Sequence, residues 1–138
     1  AVAWSAAETP HAEELADQWI KSDQERIASA GWATWSNLVL LTPDEELNLD
    51  KLRELMSMAE ENIHERQDRV SYTKNNFIIA VGGSVKALTD EAIEVGKRIG
   101  KVKVNMGKTA CKVPYIPDYI KKMEDKGKVG YKKKTVKC

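Results

Sequence analysis

Twelve lysines fall within residues 101–138, and their placement is the first feature of this chain able to do chemistry. Lys101, Lys103, Lys108 and Lys112 surround Gly107 and Thr109-Ala110, a loop-like composition. Ammonium groups and backbone N–H groups there can converge on phosphate oxygens. Lys132, Lys133, Lys134 and Lys137 form a second cluster, an arm at the end of the chain. Neither cluster is a nucleotide cradle, because no GxxxxGK[ST] motif occurs and Gly82-Gly83 is suited only to stopping a helix. The chemistry is therefore contact with a polyanion backbone, which supplies affinity without base discrimination. Tyr115, Tyr119 and Tyr131 are too few for a base-stacking platform, and Tyr119 is expected in the core. The plainer alternative is a solvated lysine tail that serves solubility.

The rest of the chain has the opposite charge. Residues 1–100 hold ten Lys/Arg against eighteen Asp/Glu, and residues 101–138 hold twelve Lys against three acids, so a formal net charge of +1 conceals halves of −8 and +9. With 138 residues, 42% of them hydrophobic, the chain has material for one core. We expect one domain over residues 1–127 and a basic arm over 128–138. Cys111 and Cys138 lie outside any CxxC spacing, and His11 and His64 have no cysteine partners. Reduced thiols, no metal and no cofactor are the expectation. No apolar run approaches the roughly 20 residues of a membrane span, and AVAWSAAETP lacks the pattern of a signal peptide. A cytoplasmic protein is expected, and Ala1 in place of Met suggests a fragment or processed product.

The periodicity that must position these groups is helical. Ala12, Leu15, Ala16 and Trp19 define a first helix ending near Ser22-Asp23, which can cap the next. Ile27, Gly31, Trp35 and Leu38 stripe a second, and Thr42-Pro43-Asp44-Glu45 breaks the chain where a third can begin. Leu52, Leu55, Met56, Ala59 and Ile63 stripe that third helix. Val70 and the run Phe77-Ile78-Ile79-Ala80-Val81 predict a sandwiched fourth helix, closed by Gly82-Gly83. Thr89-Asp90-Glu91 is placed to cap a fifth, bearing Ala92, Val95, Gly96 and Ile99 and ended by Gly100. A sixth starts near Pro117, packs Ile116, Tyr119, Ile120 and Met123, and stops at Gly127. Only Val102-Lys103-Val104 alternates as a strand would, so the class is all-α.

Order matters more than count. Glu14-Leu15 and Glu54-Leu55 begin similar helices, each followed by a longer and more apolar one, Gln24 to Leu41 and Gln67 to Val81. A recurrence near 40 residues predicts antiparallel helix pairs of the HEAT kind, stacked in a curved α-α superhelix because one pair cannot bury its apolar face alone. The alternative is an irregular bundle with two similar hairpins.

Several stretches carry a family resemblance. Ile78-Ile79-Ala80-Val81-Gly82, Ile99 to Gly107, Thr109 to Pro114, Tyr119-Ile120 and Gly127 to Lys134 together resemble the C-terminal part of the DNA alkylation repair proteins, the AlkD-like HEAT-repeat family. The resemblance implies a fragment of a longer member, with duplex DNA held on a concave basic face. In active members it also implies glycosidic removal of N3- or N7-alkylated purines. The cleft there combines a Trp, a carboxylate four residues later, an Arg and a second Trp. Trp4 and Glu8 fit the first pair, with Glu where Asp is typical. One helical turn brings such residues onto one face. The carboxylate would stabilise positive charge developing on the sugar, and the aromatic face would attract cationic character.

The other half of that cleft departs from the pattern. Ser29 falls where active members have Arg, and Asn76 falls at or near the second Trp. A hydroxyl cannot clamp a phosphate bidentately and an amide offers no aromatic wall. Trp32, three residues beyond Ser29 and off the core stripe, is the candidate to compensate, with boundary packing as its plain alternative. The expectation is thus a sequence-independent binder of duplex DNA that uses Trp32, Lys101, Lys103, Lys108, Lys112 and Lys132 to Lys134. Excision is expected to be weak or absent and to centre on Trp4 and Glu8. The rival is a catalytically inactive protein-interaction solenoid whose acidic face meets a basic partner. An acidic concave surface would favour that rival.

Overall fold

The computed structural model describes residues 12–42, 44–61, 63, 68–101 and 115–127. Six α-helices run through them: α1 Ala12–Ile20, α2 Glu25–Leu41, α3 Leu49–Glu60, α4 Asp68–Ser84, α5 Thr89–Ile99 and α6 Ile116–Asp125. Short 3-10 turns at Asp44–Glu46 and Lys86–Leu88 punctuate the second and fourth connections. No strand occurs among the described residues, so the all-α class holds.

The helices pair in chain order, α1 with α2, α3 with α4 and α5 with α6, and the pairs stack in two layers. α2, α4 and α6 form one layer, in which α4 touches both others and its interface with α2 is the most extensive in the protein. α3 and α5 meet in the other layer. These are the stacked pairs that the 40-residue recurrence predicts. Position in the stack explains the composition of α4. Phe77, Ile78, Ile79, Ala80 and Val81 are all buried because α2, α3, α5 and α6 surround the helix. Each large apolar side chain so buried contributes about 1.5–3 kcal/mol.

Several boundaries differ from the sequence expectation, each for a physical reason. Gly82 and Gly83 do not stop α4, which continues to Ser84. They are the points where neighbouring helices come closest: a Cβ on Gly82 would stand 2.8 Å from the Cβ of Ala92, and one on Gly83 would stand 2.5 Å from the terminal methyl of Met123. Thr89 does not cap α5. Its hydroxyl donates backward to the Gly82 carbonyl at 2.7 Å and so ties the end of α4 to the start of α5. α3 begins at Leu49 rather than beside Pro43, with the Asn48 side chain accepting from the Lys51 N–H at 3.2 Å. Ser22 accepts from the Gln24 N–H at 3.1 Å and shapes the turn before α2 without capping that helix. Gly100 and Gly127 do end their helices, at φ of 72° and 66°.

On the outer layer, the Arg98 guanidinium makes a two-pronged contact with Glu60, both distances 3.0 Å, and Arg53 meets Glu91 at 2.8 Å. These pairs link α3 to α5, and the hydrogen bonds raise both guanidinium pKa values above their ordinary value.

Candidate functional site

Two helices of the inner layer, α2 and α4, carry little charge along their central parts. From Ile27 to Leu41 and from Asn75 to Ser84, the central parts of α2 and α4, there is no ionisable Asp, Glu, Lys, Arg or His. Half of the eighteen acids of residues 1–100 sit on α1, α3 and α5. The central parts of α2 and α4 therefore contribute no acid to the inner surface, and α6 brings Asp118, Glu124 and Asp125 beside Lys121 and Lys122.

A groove of about 500 Å3 opens along this layer. α2 contributes Ala33, Ser36, Asn37 and Leu40, α4 contributes Tyr72, Thr73, Asn76 and Ile79, and α6 contributes Tyr119 and Met123. The helical repeat explains the set. On α2, Arg26, Ser29, Ala33, Asn37 and Leu40 follow three- and four-residue steps along one face. On α6, Tyr119, Lys122 and Met123 do the same, beside the buried face made by Ile116, Pro117 and Ile120, and Lys126 caps the helix just past its end. Arg26 and Lys122 thus share helix faces with lining residues, while the groove itself is neutral and lined with amides, hydroxyls, tyrosines and apolar side chains.

Asn76 lines this groove, and Ser29 lies one turn before Ala33 on the same face of α2. The two positions where the resembled cleft has Arg and Trp therefore share one surface. Neither side chain supplies the missing charge or aromatic wall. The Ser29 hydroxyl donates to its own helix, at the Arg26 carbonyl, 3.2 Å away.

Trp32 lies beneath the surface, which corrects the expectation that it contacts DNA. It is 2% exposed and packs on Phe77 with ring centroids 5.3 Å apart. Its position on α2 falls between the core stripe and the groove face, and α4 covers it there. Lys74, itself buried, holds its ammonium 5.7 Å from the Trp32 ring centre and donates to the Glu61 carbonyl at 3.1 Å. That cation serves the end of α3. Tyr119 is also corrected: it is 44% exposed and lines the groove rather than the core. Lys101 is exposed just beyond Gly100. Trp4, Glu8, Lys103, Lys108, Lys112, Lys132, Lys133 and Lys134 lie outside the described residues, as do both cysteines, both histidines and the Val102 to Val104 segment.

Sequence reasoning missed Tyr72 and Asn37 as groove residues. The signal was present in the three- and four-residue steps just given. It becomes visible once α2, α4 and α6 are known to share a layer. No group of His, Cys, Asp and Glu able to hold a metal occurs among the described residues, and none of their helices is long and apolar enough to cross a membrane.

No protein-family model matches the chain. It is 36% identical over 112 residues to an uncharacterized protein of Listeria innocua, covering 81% of this chain and 47% of that protein. It is also 36% identical over 114 residues to an uncharacterized protein of Listeria monocytogenes, covering 83% and 48%. The chain thus spans about half the length of the curated relatives it matches. Among solved structures, one superposes with a TM-score of 0.90 at 30% identity, over 99% of this chain and 58% of the other. It comes from a new family of proteins related to the HEAT-like repeat DNA glycosylases with affinity for branched DNA structures. The fold of this chain is accordingly HEAT-like, three stacked helix pairs with their second helices facing one groove.

Proposed function

We propose that this chain binds DNA along the groove of α2, α4 and α6, engaging the phosphate backbone without sequence preference and favouring branched over linear duplex. The observation that carries the reading is the 30% identity and 0.90 TM-score, over 99% of the chain, to a protein whose family has affinity for branched DNA. The charge layout agrees with it. Arg26 and Lys122 share helix faces with groove-lining residues, Lys126 directly follows α6, and the sequence from Lys101 onward holds twelve lysines. Such groups contact phosphates and fix orientation, which is a sequence-independent role.

Excision of alkylated bases is a secondary property in this reading. Trp4 and Glu8 remain the candidate chemical groups, by resemblance alone, and Ser29 and Asn76 weaken the cleft they would complete. The deciding experiment is competition binding between a three-way junction and a linear duplex of the same base-pair count, across a salt series. Tighter binding of the junction at every salt concentration supports the proposal. Equal affinity for both would remove the branched-DNA preference, and no binding to either would remove the DNA role.

A further inference from the structure

We propose that the centre of the groove is a receptor for an unpaired nucleobase, held between Tyr72 and Tyr119 and recognised by the Asn37 and Asn76 amides. This deepens the DNA-binding reading above and rests on it. Four observations lead to it.

No charged side chain lines the groove centre, so it offers a phosphate no counter-charge and suits an uncharged group better. The uncharged part of a nucleic acid is its base, which is the group this lining favours. Aromatic side chains come from two different helices, Tyr72 from α4 and Tyr119 from α6, and both line the cavity. Tyr119 is 44% exposed although it is a large aromatic next to a buried Ile120, so its ring is available for stacking. The amides of Asn37 and Asn76 also line the cavity, and no hydrogen bond ties either to a described residue. Each therefore keeps a free donor pair and a free acceptor, the complement needed to read a base edge. Finally, the volume of about 500 Å3 lies within the range of roughly 300–1,000 Å3 typical of small-molecule sites.

The surroundings fit a base whose own backbone continues past the pocket. Lys122 shares the helix face of Tyr119 and Met123 and Lys126 directly follows the helix, so ammonium groups stand beside the stacking ring where flanking phosphates would run. Arg26 lies seven residues before Ala33 on the α2 face, about 10 Å along the helix axis. A neutral, aromatic and amide-lined centre with cations on the same helix faces is the layout of a site for a nucleotide rather than for a uniform polyanion.

A receptor of this kind also supplies a physical cause for preferring branched DNA. In a continuous duplex every base is stacked and paired, and extracting one costs a few kcal/mol. At a junction some bases are already unpaired, so most of that cost is absent and the stacking gain is retained.

The test uses the full chain and a three-way junction carrying 2-aminopurine as an unpaired base at the branch point. Anisotropy of a distant label reports binding, and 2-aminopurine emission with acrylamide quenching reports the base. We expect the bound base to change its emission and to become shielded from acrylamide. Tyr119→Leu should weaken junction affinity about tenfold and linear-duplex affinity by clearly less, while Tyr119→Phe should keep both. Because Tyr119 is largely exposed, the Leu variant should retain its helical circular dichroism. Junction binding by anisotropy with an unshielded base, or with Tyr119→Leu indistinguishable from the parent, overturns the receptor and leaves the DNA-binding reading intact. Failure to bind any DNA overturns both.

Discussion

Gly82 and Ile120 occupy what is nearly the same space: a β-carbon placed on Gly82 would lie 2.5 Å from Cδ1 of Ile120, on the helix of the next pair. The missing side chain is what lets α6 seat against α4, and so what brings Tyr119 to the groove. Gly82 is helical, and its role is close approach.

Replacing Gly82 by Val should therefore destabilise the protein by about 1–3 kcal/mol, the usual cost of overpacking a close contact. The Ile120 terminus can swing aside, but the Cβ of Ala92 at 2.8 Å cannot. The combination Gly82→Val with Ile120→Val should recover only part of the loss. Denaturant unfolding of the three proteins checks this, and full recovery in the double variant would mean that Ala92 is not a barrier.

Trp32 should behave as a core residue. Trp32→Ala is expected to cost about 3–5 kcal/mol through lost burial and the cavity left against Phe77. Trp32→Phe should cost less, about 1–2 kcal/mol, because the indole Nε1 is buried without a hydrogen-bond partner among the described residues and its removal breaks nothing. Junction affinity measured on the Phe variant, at a temperature where it is fully folded, should equal that of the parent. A tenfold drop there would return Trp32 to the binding surface.

Lys74 is buried at 6% exposure and its ammonium serves the last carbonyls of α3, Glu61 at 3.1 Å and Met58 at 3.5 Å. Lys74→Met keeps the apolar stem and removes the donors. A loss of about 0.5–1.5 kcal/mol is expected, the net worth of a typical hydrogen bond, because Glu61 is exposed and Met58 half-buried and water can reach their carbonyls. Local hydrogen exchange should rise first near Glu60 and Glu61. Unchanged exchange there would show that water replaces the ammonium without cost.

Much of this fold was legible in the sequence because helical periodicity and pairing are local properties. Leu52, Leu55, Met56, Ala59 and Ile63 are all buried as their spacing predicts, and the run from Phe77 to Val81 is sandwiched as its lack of a polar side requires. Where the sequence misled, the deciding contact was distant. Gly82, Gly83 and Thr89 look like punctuation locally, yet each is used by a tertiary neighbour. The groove was hidden for the same reason: Asn37, Tyr72 and Tyr119 come from three helices, and nothing local relates them. Trp32 was misplaced because its angular position on α2 borders both core and groove, and only the seat of α4 decides between them.

The cations beside the groove should control salt dependence. Each phosphate contact contributes about 0.9 to the slope of log affinity against log salt on duplex DNA. Lys122→Gln combined with Lys126→Gln should reduce the slope by up to roughly 1.8. Deleting residues 128–138, with four lysines after Lys128, should reduce it by roughly 2.7 if three of them engage phosphates. The two reductions should add, because the contacts fall on separate segments. A slope indifferent to both changes would mean that neither segment touches the backbone.

Excision of N3- or N7-alkylpurine from methylated duplex should be weak, and what remains should depend on Glu8. Active members of the resembled family combine a carboxylate with an Arg and two Trp residues, whereas Ser29 and Asn76 stand on the groove surface here in place of the Arg and one Trp. One preorganised charge-stabilising group is worth about 2.7–4 kcal/mol, so the absent Arg alone corresponds to a hundred- to a thousand-fold in rate. Cationic alkylpurines are nonetheless good leaving groups, and a carboxylate beside the sugar would still stabilise the positive charge that develops as the base departs. Glu8→Gln keeps the size and hydrogen-bonding reach of the side chain while removing that charge. Comparing the parent with Glu8→Gln should therefore give a slow rate that falls to background. Fast excision that survives the substitution would assign the chemistry to another side chain, and a restored rate in a Ser29→Arg variant would identify the lost guanidinium as the missing part.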